Sequence, residues 1–192
     1  MTELIIAVLA MAACVYGASS ISKLATRPKY LAFRAGLGET TLVPGRLLPA
    51  TAAVLAGGEA AVAAGLVAAT ALSAARLPGA VPVTTAALGT ATALTGALAA
   101  GVTVIVRSGT RAACACFGAR SGRELGGSHV IRNLGLLTVL IVALAGNQFR
   151  AGPPAPAAVA VAIGAGLVVA LLVIGLDDIV ALFAPVYREP AR

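Results

Sequence analysis

Five uninterrupted apolar stretches, each near the length of a membrane span, constrain this chain more than anything else in it. They run from Leu4 to Ser22, Leu47 to Ala74, Val81 to Val106, Val130 to Phe149 and Pro156 to Leu176. A bilayer core about 30 Å thick needs roughly 20 apolar residues at the helical rise. None of these stretches carries a charge that forbids insertion. In hydrocarbon every backbone N–H and C=O must find its partner within the chain, so each stretch is expected to be a helix. With 59% hydrophobic and 11% charged residues, the chain has no segment left over for a soluble domain. The expected fold is an all-α integral membrane protein, a bundle of about five transmembrane helices.

The spans are rich in Ala, Gly and Thr, which lets backbones approach where lipid supplies no hydrophobic drive between helices. Gly57, Gly58, Gly96 and Gly101 are the expected contact points. The chain has no Trp, so Tyr16, Tyr30 and the arginines are left to anchor it at the interfaces. The first span reads as uncleaved. A secretory signal opens with a basic region, whereas here Glu3 comes first and Lys23 follows the apolar run. Cys14 then lies in mid-membrane, where a thiol packs as a small hydrophobe.

Basic residues near helix ends resist translocation, and their distribution is lopsided. Lys23, Arg27, Lys29, Arg34 and Arg46 flank the first connector. Arg107, Arg111, Arg120, Arg123 and Arg132 flank the third, and Arg188 and Arg192 lie in the tail. Arg76 and Arg150 alone belong to the opposite side. The expected orientation in a bacterial-type cell membrane has the amino terminus outside and the first connector, third connector and carboxyl terminus in the cytoplasm. The net charge of +7 does not read as nucleic-acid binding, because the cations are dispersed and no aromatic platform accompanies them. Topology and attraction to anionic membrane lipid account for them. Residues 27–34 are either a short interfacial helix or an ordinary basic connector.

The third connector, residues 108–129, carries the most reactive chemistry in the chain: Cys114-Ala115-Cys116-Phe117-Gly118, two thiols one residue apart. Arg111, Arg120 and Arg123 favour thiolate formation. A Cys-X-Cys disulfide closes only a small, strained ring, and strain raises the reduction potential. Redox use of Cys114 and Cys116 is set against the alternative that they are incidental thiols. No metal site is expected, since structural zinc wants four ligands and the loop offers two thiols and His129, the chain's sole histidine. Ser128 is placed to cap the fourth span, leaving His129 to Asn133 as its first turns.

Glu59 stands within the second span, where a carboxylate is costly and faces the bundle interior or a cavity. It is read either as a proton-relay or quinone-site residue, or as a neutral acid hydrogen-bonded between helices. Arg132 reads as a headgroup anchor before a catalytic cation, and Asn133 beside it can bond across helices.

The Cys114-to-Gly118 motif, followed by Arg132-Asn133 at the start of an apolar helix, resembles the MauE family of membrane proteins. Ser19-Ser20-Ile21-Ser22-Lys23-Leu24 at the end of the first span, and Glu59, are similar to features of that family and of the related DoxX-like proteins. The likeness implies a four-helix DoxX-like core over residues 1–150, with a fifth helix and short tail over 151–192. It implies a place in methylamine metabolism, in maturation of the disulfide-rich quinoprotein small subunit of methylamine dehydrogenase. Cys114 and Cys116 would be the redox pair, with Lys23, Glu59, Arg132 and Asn133 in support.

Three classes of function follow. In a thiol-disulfide oxidoreductase component, both thiols cycle and electrons pass to a thioredoxin-like or quinoprotein partner, or to a quinone; no cofactor is firmly implied. In a non-enzymatic assembly scaffold, the thiols dock partners without cycling. A small-solute transporter would carry flux that survives loss of both thiols, but no internal repeat or charged pathway beyond Glu59 is evident. The charge count places the thiols inside and so favours relay from the cytoplasmic side.

Overall fold

The computed structural model describes residues 1–40, 42–109, 127–150, 152, 154–176 and 179. Its helices are α1 (Thr2–Leu24), α2 (Arg27–Glu39), α3 (Leu48–Ala74), α4 (Ala80–Arg107), α5 (Gly127–Gly146) and α6 (Pro156–Ile174), with a 3-10 turn at Asn147–Phe149. All except α2 are long and apolar enough to cross a membrane, so the chain is a multi-pass, all-helical membrane protein.

The expected spans match the helices to within a few residues. α2 is longer than the 27–34 read from sequence. Thr26 caps it, accepting the Lys29 N–H at 3.4 Å, and Pro28 sits in its first turn, where a missing N–H costs nothing. It continues because Phe33 and Leu37, one turn apart, share a cluster with Ala52 and Ala56 of α3. Ser128 differs from expectation: it lies inside α5, and its hydroxyl meets His129 Nδ1 at 3.4 Å.

α1 is the hub. It packs along α3 on one side and α6 on another, while α3 packs on α4 and α4 on α5. Consecutive spans run antiparallel. The α3–α4 turn puts Ser73 3.2 Å from Thr84, and Asn147 at the far end of α5 reaches Thr85 at the start of α4. Arg76 (φ 58°) and Gly79 (φ 87°) make that turn by entering the left-handed region. At one end of the bundle, then, lie Met1, the α3–α4 turn and the segment after α5. At the other lie the end of α1, α2, the start of α3, the end of α4 and the start of α5.

The small-residue contacts are not where they were expected. A Cβ on Gly57, Gly58 or Gly101 would meet nothing within 4 Å, and one on Gly96 only Leu137 at 3.9 Å. The close approach is at Gly166 of α6, where a Cβ would run into the Ala7 carbonyl and come within 3.2 Å of Ala10. Helices approach through glycine where two backbones meet, and sequence alone does not tell which face of a helix does so.

Candidate functional site

Along α1, Tyr16, Ser19, Ser20 and Lys23 fall at i, i+3, i+4 and i+7, so one stripe of an otherwise apolar helix is polar. All four are buried. Lys23 is near the helix end, where a long cationic side chain would ordinarily snorkel to the headgroups. Instead it turns into the bundle. Its Nζ lies 2.5 Å from Glu59 Oε2 and 2.6 Å from Oε1, and both residues are 2% exposed.

Ser19 completes the cluster. Its hydroxyl donates to Glu59 Oε2 at 2.9 Å and accepts from Lys23 Nζ at 3.0 Å. Both carboxylate oxygens of Glu59 and the ammonium of Lys23 are thereby engaged. Phe33 of α2 covers the cation, with its ring centroid 5.0 Å from Nζ. The arrangement is a hydrogen-bonded ion pair between α1 and α3, roofed by an aromatic ring from α2. Such a pair can hold a charge or a proton at membrane depth without exposing either partner to lipid.

Glu59 is hydrogen-bonded between helices, from α3 to Ser19 and Lys23 of α1. Arg132 is buried at 8% exposure, and Asn133 beside it is half-buried. Cys114 and Cys116, with Arg111, Arg120 and Arg123, lie outside the described residues. Cys14 is a half-buried free thiol packed against the main core cluster.

Deeper in the bundle, Tyr16 Oη bonds the Ala91 carbonyl at 3.0 Å and Thr95 Oγ1 at 2.6 Å. Leu9, Leu66, Leu88 and Leu140, all 0% exposed, belong to the same core cluster as Tyr16. At the opposite end of the bundle, Arg150 donates to Ser73 Oγ at 3.1 Å and to Thr84 Oγ1 at 3.3 Å, and Arg76 donates to the Pro154 carbonyl. Burial lowers the Arg150 pKa from the ordinary guanidinium value. These two arginines are the pair assigned from sequence to the side opposite the thiols.

The sequence reading named Lys23 and Glu59 separately and missed Ser19 and Phe33 as their partners. The signal for Ser19 was its spacing of four from Lys23 on an apolar helix. For Phe33 there was none, because its position depends on how α2 folds back.

Among comparisons with known proteins, one family model, Methylamine utilisation protein MauE, matches residues 1–146. No curated protein and no solved structure matches.

Proposed function

Because the chain belongs to the MauE family, we propose that it is a membrane thiol-disulfide redox or maturation protein acting through Cys114 and Cys116. The observation that supports this most is the placement of the Lys23–Glu59–Ser19 cluster. It lies at the end of the bundle where α4 stops and α5 starts, the two helices that the thiol-bearing segment joins.

The chemistry balances as an exchange. A thiolate of a partner protein attacks the Cys114–Cys116 disulfide and forms a mixed disulfide. The partner's second thiol then closes its own disulfide and releases Cys114 and Cys116 as the reduced pair. Two electrons pass from partner to pair, and the partner's two protons end on the pair. Strain in the small ring drives the reaction in this direction. Reoxidation passes two electrons and two protons on to a quinone or a second thioredoxin-like protein. Lys23 and Glu59 serve that step as a buried proton-holding pair, with Arg132 adding positive charge on α5.

The family's description names methylamine utilisation; the resemblance implies the small subunit of methylamine dehydrogenase as a partner, with disulfide maturation as the reaction. Disulfides of that subunit would form outside the cytoplasm, whereas the charge count favours a cytoplasmic reacting end, and so favours a relay of reducing equivalents over maturation. A scaffold without redox turnover is the second reading. It is favoured by the closure of the ion pair, in which both Glu59 oxygens and the Lys23 ammonium are already satisfied.

The test is a membrane-impermeant maleimide applied to intact cells and to lysate, before and after reduction, in a Cys14→Ala background. Labelling that needs both lysis and reduction supports the cytoplasm-facing redox pair. Thiols that stay free even under oxidant refute the redox reading and leave the scaffold. With Cys114→Ser, a partner held on Cys116 as a mixed disulfide would identify the substrate protein.

A further inference from the structure

We propose that α2 is an anionic-lipid contact, held by the phosphate headgroups of the leaflet, that keeps the Lys23–Glu59 pair covered. This goes beyond the redox reading and does not depend on the thiols.

At 13 residues, α2 is too short to cross a bilayer, and it connects two helices that do. It therefore lies at the surface of the membrane, where its two sides meet different surroundings. Tyr30, Phe33 and Leu37 face α3 and pack against Ala52, Leu55 and Ala56. Arg27, Leu31 and Arg34 fall at i, i+4 and i+7 along another stripe, with Arg27 exposed, Arg34 half-buried and Leu31 44% exposed between them. Lys29 and Arg46 of the same connector are also exposed. None of these four cations makes an ion pair with a described residue. Basic side chains flanking an exposed leucine suit the boundary between headgroups and acyl chains.

The charges also run against the helix. Arg27 and Lys29 occupy the first turn, where the macrodipole is positive, and the last turn holds Glu39 and no basic residue. α2 is thus not held by its own electrostatics. An anionic leaflet offsets this arrangement, whereas a zwitterionic one does so weakly. Because Phe33 is the buried residue of α2 and roofs Lys23, a firmly seated α2 means a covered ion pair. A loosened α2 opens that pair to water.

The full chain is placed in phosphatidylcholine nanodiscs and in nanodiscs containing phosphatidylglycerol, and hydrogen exchange of residues 19–39 is followed. Exchange of α2 amides is expected to slow in the anionic discs by up to about a hundredfold, three basic residues each contributing about fivefold. The last turn of α1 should slow with it. High salt should reverse the effect, and Arg27→Gln/Lys29→Gln/Arg34→Gln should abolish it. If that variant does not fold, Leu31→Trp gives a reporter in a chain without tryptophan; its emission should shift to the blue in anionic discs and return in high salt. Equal exchange in both lipids overturns the proposal, as does a response that the triple variant retains. Slowing by inorganic phosphate alone in phosphatidylcholine discs overturns it too, since it would mean a soluble-anion site and not a leaflet contact.

Discussion

Lys23 of α1 and Glu59 of α3 form an ion pair at 2.5 Å with both side chains 3% exposed, and Ser19 bridges the same two groups. Removing one member strands the other charge in a medium that cannot solvate it, whereas removing both does not. Lys23→Met or Glu59→Leu alone should destabilise the protein by about 3 kcal/mol, and the double variant should return to within about 1 kcal/mol of the parent. Unfolding in mixed detergent micelles, run as a double-mutant cycle, checks this. Additive losses would mean that the two residues are not coupled. If the pair also serves the thiols, the double variant will be stable yet slow in reoxidising Cys114 and Cys116.

Gly166 and Gly57 make opposite predictions from the same residue type. A methyl at Gly166 collides with the Ala7 carbonyl, so α6 must move off α1. Gly166→Ala should cost about 1–3 kcal/mol. Gly57 faces open space in the middle of α3, so Gly57→Ala should be neutral or stabilising by up to about 1 kcal/mol through helix propensity. Thermal unfolding of the two variants side by side separates a backbone contact from a merely small residue.

The spans were legible because a stretch of about 20 apolar residues has no folded alternative in a bilayer. The start of α2 was legible at Thr26 and Pro28. Its end was not, since Phe33 and Leu37 extend it only by packing on α3. Glu59 and Lys23 could each be singled out as a charge near or within an apolar run, but their partnership could not. It depends on how far α3 overlaps the end of α1, and that register is set by the length and path of α2. The same limit explains the glycines: Gly57 and Gly101 look like contact residues in one dimension and face outward in three.

Tyr16 closes the polar stripe of α1 with a hydroxyl bonded to Thr95 and to the Ala91 carbonyl. Tyr16→Phe keeps the ring and removes those bonds. Hydrogen bonds between membrane helices average well under 1 kcal/mol, and leaving Thr95 without its partner adds little because Thr95 also donates to Ala91 O at 2.7 Å. The expected loss is about 0.5–1 kcal/mol in unfolding free energy. A loss several times larger would show that the tyrosine hydroxyl is coupled to the Glu59 cluster.

The two polar clusters of the bundle should behave independently. Arg150, with Ser73 and Thr84, lies at one end, and Lys23 with Glu59 lies toward the other; the two clusters share no residue, and the buried leucines Leu9, Leu66, Leu88 and Leu140 belong to the core cluster of the bundle. Arg150→Gln removes a partly buried cation and should cost about 1–2 kcal/mol, because Ser73 and Thr84 retain their bond to each other. Combined with Glu59→Gln, its loss should add to within about 0.5 kcal/mol. Hydrogen exchange should localise each effect, with Arg150→Gln loosening residues 147–150 and Glu59→Gln loosening the end of α1. A non-additive pair would require a polar connection between the two clusters, and with it a route from one end of the bundle to the other.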